Sequence, residues 1–194
     1  MSGTPLNIIG LEECNEVLPE IDEHGNDPLE NAKIKALAYF KATGKPVFSC
    51  DSGLYFENVP EKDQPGVHVR NVSGKHLTDD EMVCYYATLA TNYGGKLHAK
   101  YKNAICLVMN EDEIYEYMGE DLHGEAFYIA GQPHTKRVAG FPLDCLSLHI
   151  DTGKYYYDLE KADRAANGMA GFSLFFERIF GWAASRNGKV ENEA

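Results

Sequence analysis

Three stretches of the sequence carry side chains whose types and spacing could do chemistry together. Cys50-Asp51-Ser52-Gly53-Leu54 places an acid, a small hydroxyl and a glycine at the end of a short β-prone run. An acid so placed is how α/β proteins deliver a carboxylate into a crevice, and the glycine lets backbone come close to a ligand. The same residues also spell an Asp capping its own turn, and the pattern alone leaves both readings open. Glu30-Asn31-x-x-x-Lys35 sets an amide and an ammonium four residues apart on one helix face. That pair suits a phosphate, and it equally suits an ordinary surface pair. Glu20, Asp22 and Glu23, with His24-Gly25 behind them, form an acidic stretch. Brought beside Asp51, these carboxylates would make a hard-oxygen site for Mg²⁺, which takes about six oxygens and keeps several waters. Left alone, they are a solvated loop that favours a helix N-terminus.

Other chemistries find no support. The seven histidines show no metal-ligand spacing. Ser52 lacks a nucleophile elbow, so a Ser-His-Asp hydrolase is not indicated. Thr91 to Lys96 resembles a phosphate loop only faintly, because Gly94-Gly95 sits where a helix ends. With 18 basic against 30 acidic residues the net charge is −12. Such a surface repels phosphate backbones and excludes a nucleic-acid polymer as partner, but a small phosphorylated ligand can be held through a metal ion. The five cysteines are odd in number and scattered, which argues for a reducing compartment rather than a disulfide framework. The first 32 residues contain no Lys or Arg, so a signal-peptide n-region is missing. No apolar run approaches a membrane span. The expectation is a cytoplasmic protein with no membrane partner.

The elements that must position these groups can be read from local signals. Asp27 as N-cap, Pro28 at the first helical position and Glu30 at the capping-box position open a helix over about 28–42, which Gly44 stops. Pro46 to Cys50 reads as a buried strand broken by Asp51-Ser52-Gly53. A second capping box, Thr78-x-x-Glu81, starts a helix that runs to Gly94-Gly95. Strands follow at 101–109, 114–118 and 125–130, then a hairpin of 146–150 with 155–157, and a last helical region after Leu159 interrupted by Gly168 and Gly171. The terminal aromatics Phe172, Phe175, Phe176, Phe180 and Trp182 read as core or dimer surface. No linker or repeat divides the 194 residues. The fold class is α/β in the broad sense, an α+β arrangement on a mixed sheet, with 1–194 as a single domain.

Taken in order, Pro28-Leu29-Glu30-Asn31-Ala32-x-x-Lys35-Ala36, Cys50-Asp51-Ser52-Gly53-Leu54 and Pro65-Gly66-Val67 resemble the inosine/xanthosine triphosphate pyrophosphatase family. Its pattern is E-N-A-x-x-K-A, a strand into D-D-S-G-L, then P-G-x-Y. Gly140-Phe141-Pro142-Leu143-Asp144 resembles its later G-F-G-Y-D element. The resemblance implies an elongated mixed sheet with flanking helices, two lobes around a cleft, and commonly a homodimer. It implies Mg²⁺-dependent hydrolysis of deaminated purine nucleoside triphosphates to monophosphate and pyrophosphate, with water attacking phosphorus. By position, Asp51 is the general base and a metal neighbour, and Asp22 stands where the family has a metal-binding Glu. The resemblance further implies that Lys35 would contact phosphate, with Glu30 and Asn31 supporting the site, and that Ser52, Phe141, Asp144 and Arg164 would contact the nucleotide.

The chain departs from the pattern in places. The family opens with a strand and a Ser/Thr-x-Asn-x-x-Lys loop that grips the triphosphate, and this sequence begins after that point. Cys50 replaces the first Asp of D-D-S-G, and His68 replaces the usual Tyr. Gly168-Met169-Ala170 stands where a purine-contacting Ser-His-Arg is usual, so base discrimination should differ. The competing expectation is a nucleotide-binding or structural homologue without turnover, and a weaker one is a metal phosphohydrolase acting on another phosphate ester.

Overall fold

The computed structural model describes residues 7–160 and 170–181. Helix α1 (Pro28–Thr43) starts as its sequence demands: Asp27 accepts hydrogen bonds from the amides of Leu29 and Glu30, and Gly44 closes the helix at φ 63°. Strand β1 (Val47–Phe56) follows. A small ribbon of β2 (Asn71–Val72) and β3 (Lys75–His76) leads into α2 (Asp79–Asn92). The Thr78–Glu81 capping box of α2 is formed, and Gly94 and Gly95 both take positive φ at its end. Strands β4 (Lys96–Asn110), β5 (Glu113–Tyr117), β6 (Phe127–Ala130) and β7 (Ser147–His149) complete the sheet. Helix α3 spans Ala170–Phe180.

Three expectations change. Asp51-Ser52-Gly53 does not break the first strand: β1 continues to Phe56, paired residue for residue with β4 from Val47↔Val108 to Phe56↔Ala99. A long partner strand satisfies the backbone through the glycine, which local propensity cannot register. Within α3, Gly171 is a point of close approach rather than an interruption. A Cβ there would fall 2.0 Å from the carbonyl oxygen of Asp121. The sheet order is β1-β4-β6-β7 with β5 on β4, and among the described residues every strand pairing is antiparallel. The α+β class with helices flanking the sheet holds. The expected final hairpin reduces to β7 and a single bridge from Leu148 to Tyr155.

The 15 residues of β4 serve two halves. Its start pairs with β6 and its end pairs with β5. Around the first half lies a core of Leu54, Phe56, Tyr86, Leu97, Ile129 and Leu146, which joins α2 to the sheet. Around the second half, α3 covers one face, with Phe175 and Phe176 on Ile105 and Leu107. Helix α1 covers the other, with Ala32 and Ala36 on Cys106 and Val108. All five cysteines are free. No described helix is long and apolar enough to cross a membrane.

Candidate active site

Paired residues on neighbouring strands share a face and successive residues alternate. Asp51 is opposite Ala104 and two residues from Ser49, the partner of Cys106, so it lies on the face that α1 covers. Helix α1 turns Lys35 toward it from between Ala32 and Ala36, both fully buried. The Lys35 ammonium donates to Asp51 Oδ1 at 2.7 Å and to Glu23 Oε2 at 3.1 Å. Only 17% of the Lys35 side chain and 14% of that of Asp51 are exposed. Burial alone would lower the Lys35 pKa, but the bonds to Asp51 and Glu23 outweigh it and leave the ammonium above its ordinary value.

The third member of this trio is not Asp22. The Asp22 side chain is 95% exposed, with the His24 ring nitrogen Nδ1 3.9 Å from its Oδ2, while Glu23 reaches inward. The loop is steered by two bonds. The His24 amide donates back to the Asp22 carbonyl, and the Gly25 amide donates to Asn31 Oδ1 at 2.8 Å. Asn31 is therefore a buried strut, 3% exposed, that ties the acidic loop to the first turn of α1. Gly25 has to be a glycine: a Cβ would sit 2.6 Å from Asn31 Oδ1 and 3.0 Å from the Asn31 nitrogen. Glu30 supports the same loop by accepting from the Asn26 amide at 2.7 Å, one residue before the capping-box partner expected of it.

Ser52 falls on the other face of β1. Its hydroxyl donates to Asn103 Oδ1 at 2.8 Å, and Asn103 in turn donates to the Leu122 carbonyl. Cys50, on that same face, is exposed at its edge. Crowding by protein still pushes its thiol up to about 11, so it adds no charge where the family pattern has an acid. Phe141 and Asp144 belong to the half built on α2. Gly140, at φ 82°, donates its amide to Asp79 Oδ2 at 2.7 Å, and Arg70 pairs with Asp79 Oδ1 at 2.8 Å. This anchor leaves the Phe141 ring 62% exposed. Burial raises the Asp144 carboxyl above its ordinary value. Among the described residues no hydrogen bond or ion pair joins Phe141 or Asp144 to Asp51. Arg164 and the segment 168–169 lie outside the described residues.

Two carboxylates thus meet one ammonium on the E-N-A-x-x-K helix. Residues 2–164 match the family model described as the Ham1 family. The chain belongs to the Ham1 family. It is 34% identical over 184 residues to a dITP/XTP pyrophosphatase of Geobacter sulfurreducens, covering 94% of this chain and 88% of the relative. It is 33% identical over 124 residues to a protein of the same name from Malacoplasma penetrans, covering 61% of this chain and 58% of that relative. That match thus spans less than two thirds of the relative. A solved structure of a HAM1 protein from Coxiella burnetii superposes with TM-score 0.60 at 25% identity, over 84% of this chain and 79% of the other.

In this Ham1-family chain, a metal can be tested against the donors present. Among the described residues no three His, Cys, Asp or Glu side chains gather as a metal cluster. Two carboxylates do converge, on Lys35. One or two carboxylates completed by water and phosphate oxygens is the donor set that Mg²⁺ takes, so Asp51 and Glu23 fit it. Sequence reading offered Glu23 among three acids but settled on Asp22 through the resemblance, and it missed Asn103 and Asp79 altogether. Only the run Glu20 to Glu23 gave any signal, and it pointed one residue too early.

Proposed function

We propose that this chain hydrolyses noncanonical purine nucleoside triphosphates to the monophosphate and pyrophosphate. The observation that carries the reading is the 2.7 Å bond between Lys35 and Asp51, which joins the E-N-A-x-x-K-A helix to the D-S-G-L strand. Family membership and relatives named dITP/XTP pyrophosphatase support the substrate class.

In this reading Asp51 is the general base. Lys35 holds one of its oxygens, and the other is left to take a proton from the attacking water, which must lie within hydrogen-bond reach. Lys35 fixes the carboxylate's direction and offers positive charge toward phosphate oxygens. Glu23 closes the trio from the loop that Asn31 and Glu30 secure. Mg²⁺, held by Asp51 and Glu23, would neutralise charge on the phosphates. Phe141 offers an exposed ring for stacking on a base, and Asp144 a carboxyl for polar contact beside it. Ser52 acts through Asn103 instead of touching nucleotide. A homodimer comes with the family resemblance, and a cytoplasmic location with the five free cysteines.

The test is pyrophosphate release from dITP, XTP and the ordinary triphosphates with Mg²⁺, for the parent chain and Asp51→Asn. Turnover on the deaminated substrates, reduced about 100-fold or more in the variant, is expected. Nucleotide binding without turnover in the parent would sink the reading in favour of a non-catalytic homologue.

A further inference from the structure

The trio at Asp51 sets one ammonium between two carboxylates, so by itself it is net negative. A triphosphate brings further negative charge, most of it on the two phosphates that depart together. Cationic side chains on the same face are therefore informative. Lys33 is paired with Glu116 at 2.6 Å, and Lys100 with Glu120 at 2.7 Å. Lys102 is different: among the described residues it makes no ion pair.

Lys102 lies opposite Gly53, and Asp51 opposite Ala104. Asp51 and Lys102 are therefore diagonal neighbours on one sheet face, a separation that long side chains span. The Lys102 ammonium sits over the Tyr55 ring, 4.5 Å from its centroid. That ring folds back across Gly53, where a Cβ would come within 2.8 Å of the ring carbon Cε2 and 3.0 Å of the Gly66 oxygen. Gly53 thus lets the phenol lie toward Asp51. In keeping with this position, the Tyr55 hydroxyl is raised above its ordinary value, first by burial and then by the charges of Asp27, Glu61 and Asp51. The ring is a platform that keeps the lysine extended and contributes a cation–π attraction without neutralising its charge.

We propose that Lys102, seated on Tyr55 beside Asp51, binds the terminal phosphates of the substrate and holds the departing pyrophosphate. This deepens the pyrophosphatase reading and rests on it. When water adds at phosphorus and the bridging P–O bond breaks, the bridging oxygen leaves with the pyrophosphate and keeps the electron pair. An ammonium at that end stabilises the charge it acquires.

The experiment measures kcat and KM for dITP, and the inhibition constants of inorganic pyrophosphate and of dIMP, in the parent, Lys102→Met and Lys102→Arg. Loss of one charge-assisted contact should weaken pyrophosphate inhibition about tenfold and raise KM alongside it. Inhibition by dIMP should stay unchanged, and Lys102→Arg should recover most of the pyrophosphate affinity. Unchanged pyrophosphate inhibition in an active Lys102→Met overturns the proposal and leaves the pyrophosphatase reading standing. If the parent turns over no triphosphate, that reading fails on its own. Calorimetric titration with inorganic pyrophosphate then decides Lys102: weaker binding in Lys102→Met supports its phosphate role, and equal binding removes it.

Discussion

Replacing Asn31 with Ala separates two roles that the E-N-A-x-x-K signature leaves entangled. A phosphate-contacting Asn31 would lose affinity for triphosphate and little stability. The structure instead makes Asn31 the acceptor for the buried Gly25 amide at 2.8 Å. Truncation leaves that amide without its side-chain partner, which costs about 1–3 kcal/mol. The Glu23–Lys35 pair adds little, because Glu23 is 41% exposed and such pairs contribute about 0–1 kcal/mol. At about 2–4 °C per kcal/mol for a chain of this size, Asn31→Ala should melt about 2–12 °C lower. Urea unfolding should show a lower midpoint with an unchanged slope. The Gly25 amide should exchange faster with solvent, reporting that the loop carrying Glu23 has come loose. A variant that unfolds at the parent's midpoint with an unchanged Gly25 exchange rate, yet shows a raised KM for triphosphate, refutes the strut and returns Asn31 to the phosphate.

Asp79→Ala should release the Gly140 amide and Arg70 together, raising KM for nucleotide through the Phe141 rim while kcat changes less than twofold; an unchanged KM would detach that loop from the site. Acid should fray the start of α2. Glu81 is held down to about 2 by Lys75 and then by the Thr78 amide and hydroxyl. A depressed carboxyl contributes stability that is present above its ordinary range near 4.5 and is lost as pH falls toward 2. Protection of the Thr78 and Glu81 amides, relative to the unfolded chain at the same pH, should fall across that interval, and Glu81→Gln should abolish that fall.

The parts of this molecule that were legible in the sequence are those fixed by neighbours along the chain. Asp27, Pro28 and Gly44 bound α1 because capping amides and a left-handed stop involve residues within a turn of one another. Thr78 and Glu81 do the same for α2. The reach of β1 was not legible, because Gly53 and Leu54 stay in the strand through pairing with Lys102 and Tyr101, far away in the chain. The choice between Asp22 and Glu23 was equally hidden. Both are acids in a loop without regular structure, and the bond that turns one inward comes from Asn31 in the following helix. The bond that Ser52 makes was hidden too, because only its own strand was visible in the sequence and its partner Asn103 stands on another.

Carrying Asp51 within a strand has a mechanical consequence that a turn would not provide. A carboxylate on a two-residue turn swings with the loop, whereas ten consecutive pairings along β1 and β4 fix the backbone on either side of Asp51. The ammonium is held as firmly from the opposite side. Ala32 and Ala36 flank Lys35 in the helix and are fully buried against Cys106 and Val108. Methyl side chains let α1 approach the sheet closely enough for the lysine to reach its acid, and bulkier ones would lift the helix away. Glu23 belongs to the one element of the trio without regular pairing, and its loop is anchored through Gly25. A carboxylate and a cation on rigid supports, with a second acid on a tied loop, suit the proposed hydrolysis, in which the site admits a charged substrate and meets it with a pre-aimed carboxylate.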